Sequence, residues 1–526
     1  MPKVLISDEL SPAAAQIFRD RGVEVDVKTG LKKDELIAII GQYDGLAIRS
    51  ATKVTADVLA AATNLKVVGR AGIGVDNVDI PAATARGVVV MNTPFGNSIT
   101  TAEHAIAMMF AVARDIPAAS ASTHAGKWEK NRFMGVELYA KTLGLIGAGN
   151  IGSIVADRAQ GLKMQVIAYD PYLTPERALE MGVTKVELDE LFARADFITL
   201  HTPLTDGTRN IINAASIAKM KDGVRIINCA RGGLIVEEDL LAALNSGKVA
   251  GAALDVFAVE PAKENILFGH EKVVCTPHLG ASTTEAQENV ALQVAEQMSA
   301  YLIEGAVSNA LNMPSVTAEE APRLRPYMKL AAQLGAFAGK LSAEVGIRKV
   351  TIEYEGAAAK LNTRPLTAIA LQGLLGPLMP SVNMVNAPVI AKERNIAVAD
   401  TKLEAPSNYQ TLMRITVEMD GKTRSVAGTL FADAHPRIVS IKGITVEAEL
   451  TPHMLYVTNE DKPGFIGALG SILGEAGLNI ATFNLGRRTA GEEAICLVAV
   501  DEAIPQAVVD KVRALPHVKQ AQALDF

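Results

Sequence analysis

Short apolar runs punctuate the first half of the chain, each closed by a polar or glycine-containing tip. "KVLISD" (3–8), "VEVDVKTG", "DGLAIRS", "LKVVGRAG" and "GVVVMNTP" form one series, with helical patterns such as "SPAAAQIFRDRG" between them. Strands alternating with helices at this spacing predict a parallel sheet with helices on both faces. A second series starts at "TLGLIGAGNIG" (142–152) and continues through "MQVIAYDP", "ADFITLHTP", "GVRIINCARGG", "VAGAALDVF" and "KVVCTPHLG". Between the two, "NSITTAEHAIAMMFAVARDIP" (97–117) reads as one long amphipathic helix. Ligands of such sheets bind beyond the carboxyl ends of the strands, so the tips are where chemistry is expected.

The texture changes after residue 315. "NMPSVTAEEAPRLRPY" holds three prolines and several charges and marks a boundary. Residues 316–450 mix helical and strand patterns and carry no chemical motif. Residues 452–526 run strand "HMLYVTN", helix "GFIGALGSILGEAG", strand "IATFNLGR", strand "EAICLVAV", helix "QAVVDKVRAL" and strand "VKQAQAL". That order is β-α-β-β-α-β, the ferredoxin-like arrangement. The fold class is therefore α/β: two Rossmann-like units with parallel sheets, an α+β intervening unit and a C-terminal ferredoxin-like unit.

Composition narrows the function. At 526 residues the chain is too long for one core and suits three or four domains. A net charge of −7 without a long basic run argues against nucleic acid or an anionic membrane as partner. Cys229, Cys275 and Cys496 are scattered and form no metal-ligand array, so no metal and no disulfide framework is expected. The start "MPKVLISDELSP" lacks a signal-peptide pattern, and no apolar stretch is long enough to span a membrane. These features point to the cytoplasm.

The strongest chemical motif is "GLIGAGNIG". Gly147, Gly149 and Gly152 follow an apolar strand and open a helix. The first glycine permits the turn, the second lets the backbone approach a pyrophosphate and the third allows close helix–strand packing. Asp170 ends the next strand, where an acid accepts from ribose hydroxyls and repels the extra phosphate of NADP, so the cofactor expected is NAD. Arg231 stands at a later tip beside two glycines, placed to hold a carboxylate bidentately. Asp255 and Glu260 follow the next strand. His278, between a proline and a glycine, follows the one after. A carboxylate bonded to an imidazole raises its pKa, and an arginine, a glutamate and a histidine on successive tips beside a dinucleotide site suit hydride transfer at a hydroxyl-bearing carbon.

The stretches "GRAGIGVDNVD", "NTPFGNSITTAEH", "GLIGAGNIG", "AYDP", "INCARGG", "LDVFAVEP" and "TPHLGAST" resemble the D-isomer-specific 2-hydroxyacid dehydrogenase family over residues 1–315. The resemblance implies a cleft between a discontinuous substrate domain (1–97 and 285–315) and an NAD-binding domain (98–284). An intervening domain (316–450) and a C-terminal domain of the ACT type (451–526) would follow. It places catalytic roles on Arg231, Glu260 and His278. It also sets Gly147, Gly149, Asn150, Ile151, Gly152, Asp170, Thr202, Pro203, Cys229, Arg231, Asp255, His278 and Gly280 against the cofactor.

Within the family the nearer resemblance is to a long-form branch acting on 3-phospho-D-glycerate, through "RSATKVTADVL", "PFGNS", "KWEKNRFMGVEL" and "NEDKPGFIGALGSILGEAGLNIA". It implies that Arg49, Ser50, Arg70, Gly74, Asn97, Arg231 and His278 surround the substrate. It further implies L-serine as effector at Asn459, Asp461 and Asn479, and a homo-oligomer, dimer or tetramer. Where members place an arginine soon after "KWE", this chain has Lys130, Asn131 and Arg132, of which the cations Lys130 and Arg132 could reach a partner subunit's substrate. Two other functions share much of this pattern: a glyoxylate or hydroxypyruvate reductase, and a non-catalytic dinucleotide-sensing protein. Arg49, Arg70 and the extra C-terminal length argue against the first, and retention of Arg231, Glu260 and His278 together against the second.

Overall fold

The structure is a computed structural model that describes residues 1–317, 319–342, 346–379, 381–405, 408–432 and 434–526. The first series of runs forms a five-stranded parallel sheet in which strand Lys3–Ile6 is flanked by Glu24–Val27 and Gly45–Ile48, followed by Val67–Arg70 and Val89–Met91. Successive residues face opposite sides. Val4, Ile6, Ala47, Val67 and Val89 pack against helices Pro12–Asp20 and Thr284–Glu304, whereas Leu5, Leu46, Ile48, Val68 and Val90 pack against Leu36, Ile40 and Val58. The period of two in a strand, buried on both faces, is why these runs are almost wholly apolar. Pro12 at the first helical position and Ser11, whose hydroxyl accepts from the Ala13 amide, start the first helix where the sequence placed it.

The second series forms a seven-stranded parallel sheet. Strand Thr142–Ile146 lies between Gln165–Tyr169 and Phe197–Leu200. Val224–Asn228, Val249–Leu254 and Val273–Cys275 continue outward from the latter. The order reverses at Thr142–Ile146, so the tips of that strand and its neighbour open on a crevice.

The single helix expected over 97–117 is two. Ser98–Ala113 ends as the Arg114 amide bonds to the Phe110 carbonyl, and Asp115 adopts a left-handed φ of 50°. A second helix, Ile116–His124, begins with Pro117 in its first turn. Pro117 has no amide hydrogen to continue the first helix and its ring would clash with the preceding turn, so the proline starts a new element.

Residues beyond 315 build the remaining two sheets. Helix Ala321–Ser342 and helix Arg364–Leu375 cover a six-stranded mixed sheet, in which Ile347–Gly356 pairs in parallel with the edge strand Ala397–Leu403 and antiparallel with Thr411–Met419. Strands His453–Glu460, Ile480–Arg487, Glu493–Val500 and Val518–Asp525 form an antiparallel sheet with the third in sequence pairing the first and second, and the fourth pairing the first. Helices Phe465–Glu475 and Gln506–Arg513 supply Leu469, Leu473, Val509 and Val512 to the core beside it, which completes the ferredoxin-like arrangement. The other face joins the intervening unit. Phe337 and Tyr456 meet edge to face with ring centres 5.9 Å apart, inside an apolar cluster that also holds Val4 and Met298 of the first unit. Among the described residues no helix is long and apolar enough to cross a membrane.

Candidate active site

The glycine loop meets the physical demands of a dinucleotide site. Gly147 has φ of 96°, and a side chain there would collide with the His201 carbonyl. A Cβ on Gly152 would fall 2.1 Å from the Gly147 carbonyl oxygen, whereas the space over Gly149 is open. Turn, approach and packing are thus divided among the three glycines. Helix Asn150–Gly161 starts here, so its first amides point at the open space, where they favour negative charge. Ile151 packs its side chain partly into the core below. The Asp170 carboxylate accepts from the Ala148 amide at 2.9 Å and the Tyr172 amide at 2.8 Å, which fixes it beside the loop. Thr202 and Pro203 follow the neighbouring strand Phe197–Leu200, and the Thr202 amide nitrogen lies close to Gly147. The residues present therefore fit NAD.

A cavity of about 980 Å³ lies where the first two units meet, and Arg49, Ser50, Arg70, Asn97, Glu260 and His278 line it. Arg49 and Ser50 follow strand Gly45–Ile48, and Arg70 ends Val67–Arg70. Asp8, buried at the tip of the first strand, accepts from the Arg49 and Thr52 amides and holds that turn. The Arg70 guanidinium is mostly buried. Burial, with Arg231 and Arg49 close by, pushes its pKa down to about 10, and its Nε has no hydrogen-bond partner. The buried Asn97 Oδ1 is also without one. Arg231 lies against Gly74, where a Cβ would fall 1.9 Å from Nη2, and its Nε donates to Asp76 at 3.0 Å. Three guanidiniums lie close together here, and the unpartnered Arg70 Nε leaves one of them with a donor free for an anion.

On the other side of the cavity His278 Nδ1 bonds Glu260 Oε2 at 2.6 Å, and Glu260 Oε1 accepts from the Phe257 amide at 3.0 Å. The Glu260 hydrogen bond, opposed by burial, raises the imidazole pKa. Burial works to raise the Glu260 carboxyl, but the bonds from His278 and the Phe257 amide hold it below its ordinary value. With Nδ1 engaged, Nε2 is the nitrogen left for a substrate.

His278 itself has φ of 55°, rare for a side-chain-bearing residue, and Asp255 holds it there. The Asp255 carbonyl accepts the His278 amide at 2.9 Å. Its fully buried carboxylate accepts from Thr276 Oγ1 at 2.6 Å, the Leu279 amide at 2.7 Å and the Gly280 amide at 2.8 Å. Burial acts to raise the Asp255 carboxyl, yet these donors and His104 keep it below the usual carboxylate value. His104, Cys229 and Asp255 place ligand-type atoms within 4.8 Å of one another. The Asp255 oxygens are already committed to loop donors, and burial, with Asp255 nearby, pushes the Cys229 thiol up, so the cluster suits hydrogen bonding better than a metal.

Three residues of the site lie inside stretches that the sequence marked without being singled out in it: Asp8 closes "KVLISD", Asp76 stands in "GRAGIGVDNVD" and His104 ends "NTPFGNSITTAEH". Arg132 pairs with Glu129 at 3.3 Å and reaches Glu271 on the cavity rim at 3.9 Å, so within one chain it is tied down at that edge. The effector trio is not gathered within the chain. Asn459 pairs with Ala494 at one end of strand Glu493–Val500, whereas Asn479 bonds Asp501 past the other end. Asp461 is committed to Arg487 at 2.6 Å and the Gly491 amide at 3.1 Å.

Comparison with known proteins agrees with this geometry. Residues 106–280 match the NAD-binding domain of D-isomer-specific 2-hydroxyacid dehydrogenases, 323–442 the D-3-phosphoglycerate dehydrogenase intervening domain, and 453–517 the ACT domain. A D-3-phosphoglycerate dehydrogenase of Synechocystis is 44% identical over 99% of this chain and 94% of its own. That of Methanocaldococcus jannaschii is 43% identical over all of both. Among solved structures, a glyoxylate reductase from Paecilomyes thermophila is 31% identical with a TM-score of 0.56, covering 59% of this chain and 98% of its own. The chain belongs to the D-3-phosphoglycerate dehydrogenase family, within the D-isomer-specific 2-hydroxyacid dehydrogenases, and is an NAD-dependent oxidoreductase.

Proposed function

We propose that the protein oxidises 3-phospho-D-glycerate to 3-phosphohydroxypyruvate with NAD, the first step of phosphorylated serine synthesis. The observation that carries this is the cavity itself: Arg49 and Arg70 line it together with the His278–Glu260 pair, and the Arg231 charge lies close enough to Arg70 to lower its pKa. A substrate with a phosphate at one end and a carboxylate at the other needs more cationic capacity than a simple hydroxy acid. In this reading Arg49 and Arg70, with Ser50 and Asn97, take the phosphate. Arg231 takes the carboxylate and polarises the 2-oxygen, with Gly74 making room for its guanidinium and Asp76 fixing its plane.

Bound NAD supplies the acceptor for the hydride leaving C2. Neutral His278 accepts the hydroxyl proton at Nε2, and Glu260 orients the ring and stabilises the imidazolium that results. Asp170 selects NAD by accepting from the ribose hydroxyls, and the helix at Asn150 and Ile151 holds the pyrophosphate. Thr202, Pro203, Cys229, Asp255 and Gly280 frame the rest of the cofactor. The substrate domain comprises 1–97 with 285–315 and the NAD domain 98–284. The intervening domain spans 316–450 and the regulatory ACT domain 451–526. The protein works in the cytoplasm as a homodimer or homotetramer. L-serine binds between ACT domains of two subunits, which would bring Asn459 and Asp461 of one copy toward Asn479 of another. Calorimetry with L-serine on wild type and Asp461→Ala tests the effector. NADH formation from phosphoglycerate, D-glycerate, lactate and 2-hydroxyglutarate tests the reaction. Preference for a non-phosphorylated acid would sink it.

A further inference from the structure

His104 lies on helix Ser98–Ala113, with its side chain largely covered. Its Nε2 is 3.2 Å from Asp255 Oδ1 and 3.3 Å from Thr276 Oγ1. One turn earlier on the same face, Thr101 Oγ1 donates to the Gly280 carbonyl at 2.9 Å. The helix therefore grips the His278 loop at two points. Thr101 holds its far end, and His104 closes the ring of donors around the carboxylate that anchors Thr276, Leu279 and Gly280. The same helix begins directly after Asn97, whose amide lines the cavity.

A loop carrying a histidine at φ 55° needs its surroundings to over-determine it. The Asp255 carboxylate does so while ionised and fully solvated by donors. Its Oδ1 takes Thr276 and Leu279, and His104 supplies the further donor on that oxygen. We propose that His104 is a positioning residue for the proton transfer: through Asp255 it fixes the 276–280 turn that aims His278 at the substrate hydroxyl. The proposal rests on His278 as the proton acceptor. The charged groups facing His278 are Glu260, Asp255 and Arg231. The charged group facing His104 is Asp255, with the neutral Cys229 thiol beside it. Loosening the turn weakens the Glu260 bond, so the His278 pKa relaxes toward its ordinary value.

The test compares wild type, His104→Leu and His104→Gln as the full chain. Gln can return an amide donor near Nε2, whereas Leu cannot. His104→Leu should lower kcat on the order of 10- to 100-fold with little change in phosphoglycerate KM, the scale of a small misplacement of a catalytic group. Its kcat–pH limb should move to lower pH, and amide hydrogen exchange across 276–282 should accelerate. His104→Gln should restore all three. A purely packing role would lower the melting temperature and leave the limb in place. Wild-type kcat, limb and exchange in His104→Leu overturn the proposal. If that variant fails to fold, Thr276→Val removes a neighbouring donor to the same oxygen, and unchanged exchange and limb there overturn it instead. His278→Ala runs beside them. Retained turnover in His278→Ala defeats the catalytic reading, whereas the exchange rates judge the clamp independently of chemistry.

Discussion

Arg70 should cost the free protein stability and return it as substrate affinity, so replacing it with methionine should move the two in opposite directions. Its pKa falls from 12.5 to about 10 because burial and the charges of Arg231 and Arg49 disfavour the cation. At 1.36 kcal/mol per unit that is about 3 kcal/mol against the charged form. The partnerless Nε reports part of the same penalty and is not added to it. Methionine keeps an unbranched apolar stem and removes the charge, so the free enzyme should gain about 1–3 kcal/mol, a rise of a few degrees in Tm. The lost phosphate contact should weaken phosphoglycerate by about 10- to 100-fold, the worth of a hydrogen bond to a charged group. Thermal melts with and without saturating phosphoglycerate read both effects. Wild type should rise on binding, and Arg70→Met should start higher and rise less. A less stable free Arg70→Met enzyme with an unchanged KM would refute the reasoning.

Other outcomes follow from the same geometry. In the oxidative direction His278 must be neutral, so activity rises with pH through a pKa held above its ordinary value; Glu260→Gln removes the raising bond, and the limb of the kcat–pH profile should move to lower pH. Asp170→Ala should narrow the NAD-to-NADP ratio in kcat/KM, because the carboxylate that excludes a ribose phosphate is gone. Gly152→Ala places a Cβ 2.1 Å from a backbone carbonyl that cannot swing aside, so equilibrium dialysis should show NAD affinity falling on the order of tenfold or more.

Where local chemistry sets the structure, the sequence announces it. The three glycines divide their roles as their spacing implied, and Glu260 and His278, read from separate strand tips, meet at 2.6 Å. Features set by distant packing were silent. His104 looks like one polar residue on an apolar helix, and only the fold brings it to Asp255, far along the chain. Asn479 and Asp461 flank one helix in sequence yet sit at opposite ends of strand Glu493–Val500, because helix Phe465–Glu475 carries the chain back along the sheet between them. The break after Ala113 needed weight on a single proline against a long apolar pattern. Residues 316–450 showed helix and strand patterns but not the order of the sheet, because that order comes from long-range pairing rather than from any local motif.

In the proposed oxidation of phosphoglycerate, His278, held by Glu260 beside the arginine cluster, moves the proton. His278→Ala measured by single-turnover NADH formation, with NAD and phosphoglycerate binding measured separately, tests it most directly. The expected result is a loss on the order of 10²-fold or more in the chemical step with both affinities nearly intact. A variant that binds both ligands and keeps most of its wild-type rate would contradict the account.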